Sequence, residues 1–221
     1  MELNTPKPLH KNLDMVSRIN ISLISICLLL CACKNTPDVA RTLPILGNYE
    51  VIDGDTIHHT IPDFSFVNQD SVIITNDTFG DQVYVADFFF TSCPSICPKV
   101  KKEMLRMYDK YHGDPRIAFV SHSIDTKRDT VGRLHEYAAN LGVSSDLWHF
   151  VTGNKTALFR IANDYFVSAL EDPGAPGGFD HSGRLILVDR NRHVRAFCNG
   201  TVTEEVDAFM DQIDQLLATE Y

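Results

Sequence analysis

The hydrophobic pattern changes period several times along the chain. Val83 to Phe90 is a β-branched and aromatic run broken only by Asp87, which predicts a central strand buried on both faces. Arg116 to Ser123 predicts a second buried strand. Between them Val100, Met104, Met107, Tyr108 and Tyr111 recur at helical spacing behind Pro98, a residue suited to opening a helix. Residues 130–141 and 154–166 also predict helices, the second with Leu158, Ile161, Ala162 and Tyr165 on one face. Leu185 to Asp189 predicts a strand, Arg190-Asn191-Arg192 a turn, and His193 to Cys198 its hairpin partner. Glu204 to Leu217 closes the pattern as an amphipathic helix with Thr203 as its expected N-cap. Upstream, Phe64 to Val67 and Val72 to Thr75 flank Asn68-Gln69-Asp70 as a hairpin. Strands alternating with helices, ended by a hairpin and a helix, predict an α/β sandwich.

Ahead of this pattern Lys7, Lys11 and Arg18 precede an apolar run from Ile21 to Ala32. About twelve helical residues span roughly 18 Å, short of a ~30 Å hydrocarbon core, so the run predicts an export signal rather than a membrane span. Leu30-Cys31-Ala32-Cys33 resembles the bacterial lipobox, whose last cysteine is acylated and becomes the mature amino terminus. The alternative is an ordinary export signal cut near Ala32, and Met15 is an alternative start. On either reading the domain is exported; on the first it is a membrane-anchored lipoprotein of the bacterial cell envelope, held at Cys33. The expected organisation is a signal peptide over 1–32, a lipidated terminus and polar tether over 33–54, and one folded domain over 55–221.

Composition narrows the function. The chain of 221 residues is 44% apolar, enough for a real core. A formal charge of −9 without a long basic run argues against nucleic acid as a partner. Of six cysteines, processing at Cys33 would remove Cys27 and Cys31 and leave Cys93, Cys97 and Cys198 as thiols. One close pair with one odd cysteine is no disulfide framework, so the pair must be explained by its chemistry.

That pair lies in Cys93-Pro94-Ser95-Ile96-Cys97-Pro98, between the apolar strand and the helix. With Cys97 in the first helical turn, the four-residue step brings both sulfurs to one face. Unpaired backbone N–H groups and the helix dipole there favour thiolates. Two such thiolates can attack a disulfide, form a Cys93–Cys97 disulfide, or hold a soft metal such as Cu(I).

Phe88-Phe89-Phe90-Thr91-Ser92-Cys93-Pro94-Ser95-Ile96-Cys97-Pro98 resembles the signature of the Sco/SenC family. Ser123-Ile124-Asp125-Thr126-Lys127-Arg128-Asp129-Thr130 resembles that family's Asp-x-x-Arg-Asp-Thr segment, and Asp180-His181-Ser182 its His-Ser element ahead of a strand ending in Asp189. The three occur in family order, and the similarity covers roughly residues 57 to 217. The resemblance implies a thioredoxin-like sandwich with a central mixed β-sheet, flanking helices and an N-terminal β-hairpin. It implies copper, as Cu(I) and Cu(II), held by Cys93, Cys97 and His181. Its implied role is delivery of copper to the CuA centre of cytochrome c oxidase, or thiol-disulfide maintenance of that site. The implied partners are the oxidase's copper-bearing subunit and other copper chaperones or thiol reductants.

Other residues are weighed beside these. His181 follows Asp172 to Gly178, too rich in glycine and proline for regular structure and suited to swinging a ligand on and off a metal. His122 is the other histidine near a motif, whereas His58, His59, His112, His135 and His193 read as surface residues. Asp87 lies six residues before Cys93, the offset at which thioredoxins keep a proton-transferring carboxylate. Asp125 and Asp129 are expected to cap the following helix and fix the loop, with Arg128 pairing one of them. Gly183 stands where thioredoxin-like redox enzymes carry a cis-proline, which favours the metal reading over the reductase one. Cys198 is expected to be a buried apolar residue.

Overall fold

The computed structural model describes Met1 and residues 42–221; the expected signal peptide, Cys33 and most of the tether lie outside the described residues. Thr42–Tyr221 is one compact unit. Its strands are β1 (Tyr49–Ile52), β2 (Asp55–His58), β3 (Ser65–Asn68), β4 (Ile73–Thr75), β5 (Val83–Phe89), β6 (Ile117–Ser123), β7 (Trp148–Thr152), β8 (Ala169–Glu171), β9 (Phe179–His181), β10 (Arg184–Val188) and β11 (Val194–Asn199). Its helices are α1 (Cys97–Tyr111), α2 (Val131–Leu141), α3 (Lys155–Asp164) and α4 (Thr203–Glu220).

Seven strands form one mixed sheet in the order β11-β10-β5-β6-β7-β3-β4. β5, β6 and β7 run parallel at its centre, and β10 and β3 join them antiparallel on either side. All residues of β5 and β6 are buried, as an apolar run between two helical layers requires. One face carries Asp87, Phe89, Ser121, Trp148 and Phe150, where Tyr108 of α1 and Tyr137 of α2 pack on the aromatic rings. The other carries Tyr84, Phe88 and His122 against Phe64, Phe66 and Tyr165. α4 lies beside α1, tied by Lys110–Asp214 and Arg106–Asp207 ion pairs. No described helix is long and apolar enough to cross a membrane.

The expected sandwich, its strands and its helices are therefore present, including the β3–β4 hairpin around Asn68-Gln69-Asp70. A further amino-terminal hairpin, β1–β2, turns at Asp53-Gly54 with both residues at positive φ. Upstream of residue 55, Leu43 is buried and Arg195 donates to the carbonyls of Leu43 and Pro44. Thr203 does not cap α4: it is the first helical residue, and its hydroxyl donates to buried Glu103 at 2.9 Å.

Candidate metal centre

The site is built where β5 hands over to α1. β5 stops at Phe89, Cys93 N–H closes a turn onto the Phe90 carbonyl at 3.2 Å, and Cys97 is the first residue of α1 with Pro98 behind it. Proline costs nothing there, because the first helical N–H groups have no intrahelical partner. Both thiols are buried, each 8% exposed.

His181 reaches them from a separate two-stranded sheet in which β9 pairs with β8. Asp172 to Gly178 is irregular as expected apart from the 3-10 turn Pro176–Gly178, and it is bracketed by Ala169–Glu171 and Phe179–His181, which pair as a hairpin. Two strong breakers at the turn leave the flanking residues free to pair. His181 Nε2 lies 3.5 Å from Cys97 Sγ and 3.8 Å from Cys93 Sγ, and the three donor atoms all fall within 4.8 Å of one another. The ring stands edge-on to Phe90 at 5.5 Å.

The two thiols are not equivalent. Burial alone would raise Cys93, but hydrogen bonds from the Cys97 thiol and from the Ser95 and Cys97 backbone outweigh it and hold Cys93 below the usual thiol value. Burial, and then the hydrogen bond and charge of Cys93, push Cys97 well up. The expectation of two low-pKa thiols at the helix start is thus corrected for Cys97, whose anion would sit buried beside Cys93. Burial also lowers His181, against smaller opposing contributions led by the Ser182 backbone, so its imidazole is neutral. Two sulfurs and a neutral imidazole are a soft donor set. First-row metal bonds to sulfur and imidazole run about 2.0–2.3 Å, so three donors around one ion stand roughly 3.7 Å apart, close to the separations present. The residues fit a copper ion.

Beneath the pair, Asp87 is buried and raised to about 7 by burial, against a hydrogen bond from Ser121. Trp148 Nε1 donates to Ser121 Oγ at 2.8 Å, so the carboxylate is held by a chain of two side chains. A cavity of about 20 Å³ touching Asp87, Ser121, Cys97 and His181 has room for roughly one water. A cavity of about 350 Å³ lies elsewhere over Gly183, Phe197 and Cys198 and is an open polar cleft where no cluster of metal donors converges among the described residues.

Asp125 and Asp129 are away from the donors. Asp129 accepts from Thr91 N–H at 2.9 Å, Thr91 Oγ1 at 2.6 Å and Ser123 Oγ at 2.6 Å, stitching the cysteine loop to the end of β6. Neither caps α2; Thr130 does, accepting from Arg133 N–H. Arg128 pairs with Asp125 as expected. His122 is fully buried on the opposite face, stacked on Phe88 at 4.8 Å, and takes no part in the cluster. Among the surface histidines, His59 is half-buried and bonded to the Asp164 carbonyl. Cys198 is a buried thiol with its pKa raised to about 12, as suits an inert apolar cysteine. The sequence did not point to Ser121, Trp148 or Thr91; the visible signal was the polar run Ser121-His122-Ser123 inside an otherwise apolar strand.

Comparison with known proteins agrees with this geometry. The SCO1/SenC family model matches residues 53–218. A SCO1 protein homolog of Bacillus subtilis is 26% identical over 161 residues, covering 72% of this chain and 83% of that protein. The structure of BsSco, a member of the Sco family of cytochrome c oxidase assembly proteins in which a disulfide switch was identified, superposes with a TM-score of 0.61 at 27% identity, over 72% of this chain and 94% of that one. Copper-bound ScoI of Arabidopsis thaliana shares the fold with a TM-score of 0.60 at 23% identity, over 72% of this chain and 98% of that one. The chain belongs to the SCO1/SenC family.

Proposed function

We propose that this domain binds copper through Cys93, Cys97 and His181 and acts as a chaperone for the CuA centre of cytochrome c oxidase. The observation that carries this is the convergence of two buried sulfurs and one imidazole nitrogen within 4.8 Å. BsSco is a member of a family of oxidase assembly proteins and the Arabidopsis ScoI structure holds copper, which supports the same cargo here. Cu(I) is satisfied by the three donors, and Cu(II) by the same atoms with a further ligand. The oxidase's copper-bearing subunit would receive the ion, other copper chaperones would supply it, and thiol reductants would keep the cysteines ready. A lipid on Cys33 would hold the domain on the outer side of a bacterial membrane.

The test is an anaerobic Cu(I) titration of the reduced domain against a competing chelator, beside His181→Ala. One tightly held copper, weakened at least tenfold in the variant, is the expected result. Equal binding by both proteins would remove His181 from the site.

The unequal thiols favour a second reading, a thiol-disulfide reductase of the same target. Cys93 thiolate would attack a target disulfide, forming a mixed disulfide and releasing one target thiolate. Cys97, losing its proton, would then attack Cys93 sulfur, releasing the second target thiolate and leaving a Cys93–Cys97 disulfide. Asp87, next to Cys97 and raised to about 7, is placed to take that proton. Reductase activity that survives His181→Ala would identify this role, since only the sulfurs are needed.

A further inference from the structure

His181 belongs to no part of the central sheet. It ends a three-residue strand whose only ladder partner among the described residues is another three-residue strand. A lone pair of such strands is marginal by itself, so something else must keep the ring against the thiols. We propose that Arg128 is the positioning residue that does so, as a latch between the loop after β6 and the β8–β9 turn. The proposal rests on the reading of Cys93, Cys97 and His181 as the copper site.

The latch has a fixed end and a reaching end. At the fixed end the Arg128 guanidinium pairs through Nε with Asp125, whose carboxylate is 4% exposed, while the Arg128 N–H donates to Asp125 Oδ1 at 3.3 Å. The carboxylate is buried while the Arg128 side chain is 54% exposed; the contact at Oδ2 is one of charge rather than a hydrogen bond, and losing it would leave the buried anion uncompensated. At the reaching end Nη2 crosses to the Gly177 carbonyl and donates at 2.9 Å. Only a planar fork serves both partners at once; a lysine ammonium has no second arm in a fixed direction.

Gly177 is the point at which the turn is seated. Its φ is +81°, and a Cβ there would stand 2.6 Å from the Phe90 ring and 3.4 Å from Pro94. Phe90 and Pro94 bracket Cys93, so the turn lies directly on the cysteine loop with Arg128 closing it from the other side. The Phe90 ring also contacts Phe179 and His181, at 5.1 and 5.5 Å between centroids. A shift at Gly177 is therefore passed along β9 to the imidazole four residues on. The second motif segment thus serves the metal site without touching it.

The experiment measures Cu(I) affinity by chelator competition for Arg128→Ala, Arg128→Lys and Gly177→Ala, each in the parent and in the His181→Ala background. Amide hydrogen exchange of metal-free Phe179 to His181 is followed alongside. Arg128→Ala should weaken copper about tenfold, the scale of one lost charge-assisted hydrogen bond. In the His181→Ala background the same change should have no effect, because the sulfurs do not depend on the latch. Arg128→Lys should recover only part of the loss. Gly177→Ala, which presses a Cβ onto Phe90 while leaving the Arg128–Asp125 pair intact, should raise β9 exchange as Arg128→Ala does. Exchange over β9 should rise in Arg128→Ala while β10 stays protected. Unchanged affinity with unchanged β9 exchange, or an equal loss in both backgrounds, would overturn the latch. Should His181→Ala alone leave copper binding untouched, the copper reading fails, and faster β9 exchange in Arg128→Ala still decides the latch.

Discussion

At the scale of single residues, the chemistry is set by how burial and neighbours divide labour between like groups. Cys93 and Cys97 are the same side chain in the same turn, yet one is held low and the other pushed up. At pH 7.5 iodoacetamide should therefore modify Cys93 several-fold faster than Cys97, as mass spectrometry of partial reactions would show; the reverse order would contradict the assignment. Either cysteine changed to serine should abolish tight Cu(I) binding, because one sulfur and one imidazole make a poor Cu(I) site. His122 gives a pH effect that is separate from the metal. Burial pulls it from 6.5 to about 3, and neither ring nitrogen makes a hydrogen bond of normal geometry. A depressed value means that the folded state keeps the ring neutral. Its contribution is complete above pH 6.5 and is lost as pH falls from there toward 3. His122→Phe, which suits the surrounding rings, should flatten the fall in stability over that range, by up to about 1.4 kcal/mol per pH unit. Urea unfolding at pH 5 and 7.5 is the check, and an identical pH slope in the variant would sink the idea. The contrast with His181 shows what was legible: motif context separated the two histidines, whereas the aromatic cage around His122 draws on three separate segments, at Phe64 and Phe66, Phe88 and Tyr165.

At the scale of elements, long runs were readable because their period is unambiguous. β5, β6, α1 and α4 bury enough side chains that local pattern and tertiary demand coincide. β1, β2, β7, β8 and β9 were not read, β1 lying within the expected tether. β7 owes part of its edge to a side chain, since the Gln69 amide bonds the Trp148 carbonyl and the Phe150 N–H at 2.8 Å each. β8 and β9 are three residues long and separated by a glycine- and proline-rich turn, too short for any period to show. The assignment of helix capping to Asp125 and Asp129 failed for a related reason. An aspartate before a helix has the chemistry of a cap, but here the distant Thr91 and the nearby Ser123 compete for Asp129. Asp129→Ala would strand the donors of Thr91 and Ser123 in a buried place and should cost about 3 kcal/mol. It should also loosen the cysteine loop while leaving α2 capped by Thr130. Denaturant unfolding combined with amide exchange at Thr91 tests both parts; a loss under about 0.5 kcal/mol would mean that the stitch is unimportant.

At the scale of the whole molecule, the question is how a domain proposed to carry one copper ion would be kept near the protein that receives it. The segment leading into the fold is fastened rather than loose. Arg195 donates to the carbonyls of Leu43 and Pro44 and, through Nη1, to Asp189 at 2.7 Å and Glu220 at 2.6 Å, so the chain's way in and its final helix share one buried cation. Leu43 is ten residue steps along the chain from Cys33, and a fully extended chain of that length reaches at most about 36 Å. A lipid on Cys33 would therefore confine the domain to a thin layer above the bilayer, where a membrane-embedded oxidase presents its copper site. The folded unit carries all three proposed copper donors itself, so anchoring and metal binding should separate cleanly. Cys33→Ser expressed in a bacterial host should move from the membrane fraction to the soluble exported fraction, and the released protein should hold Cu(I) as tightly as the parent domain. A variant that stays with the membrane would remove the lipid anchor from the account. A released variant with weakened copper binding would show instead that the anchored segment contributes to the site.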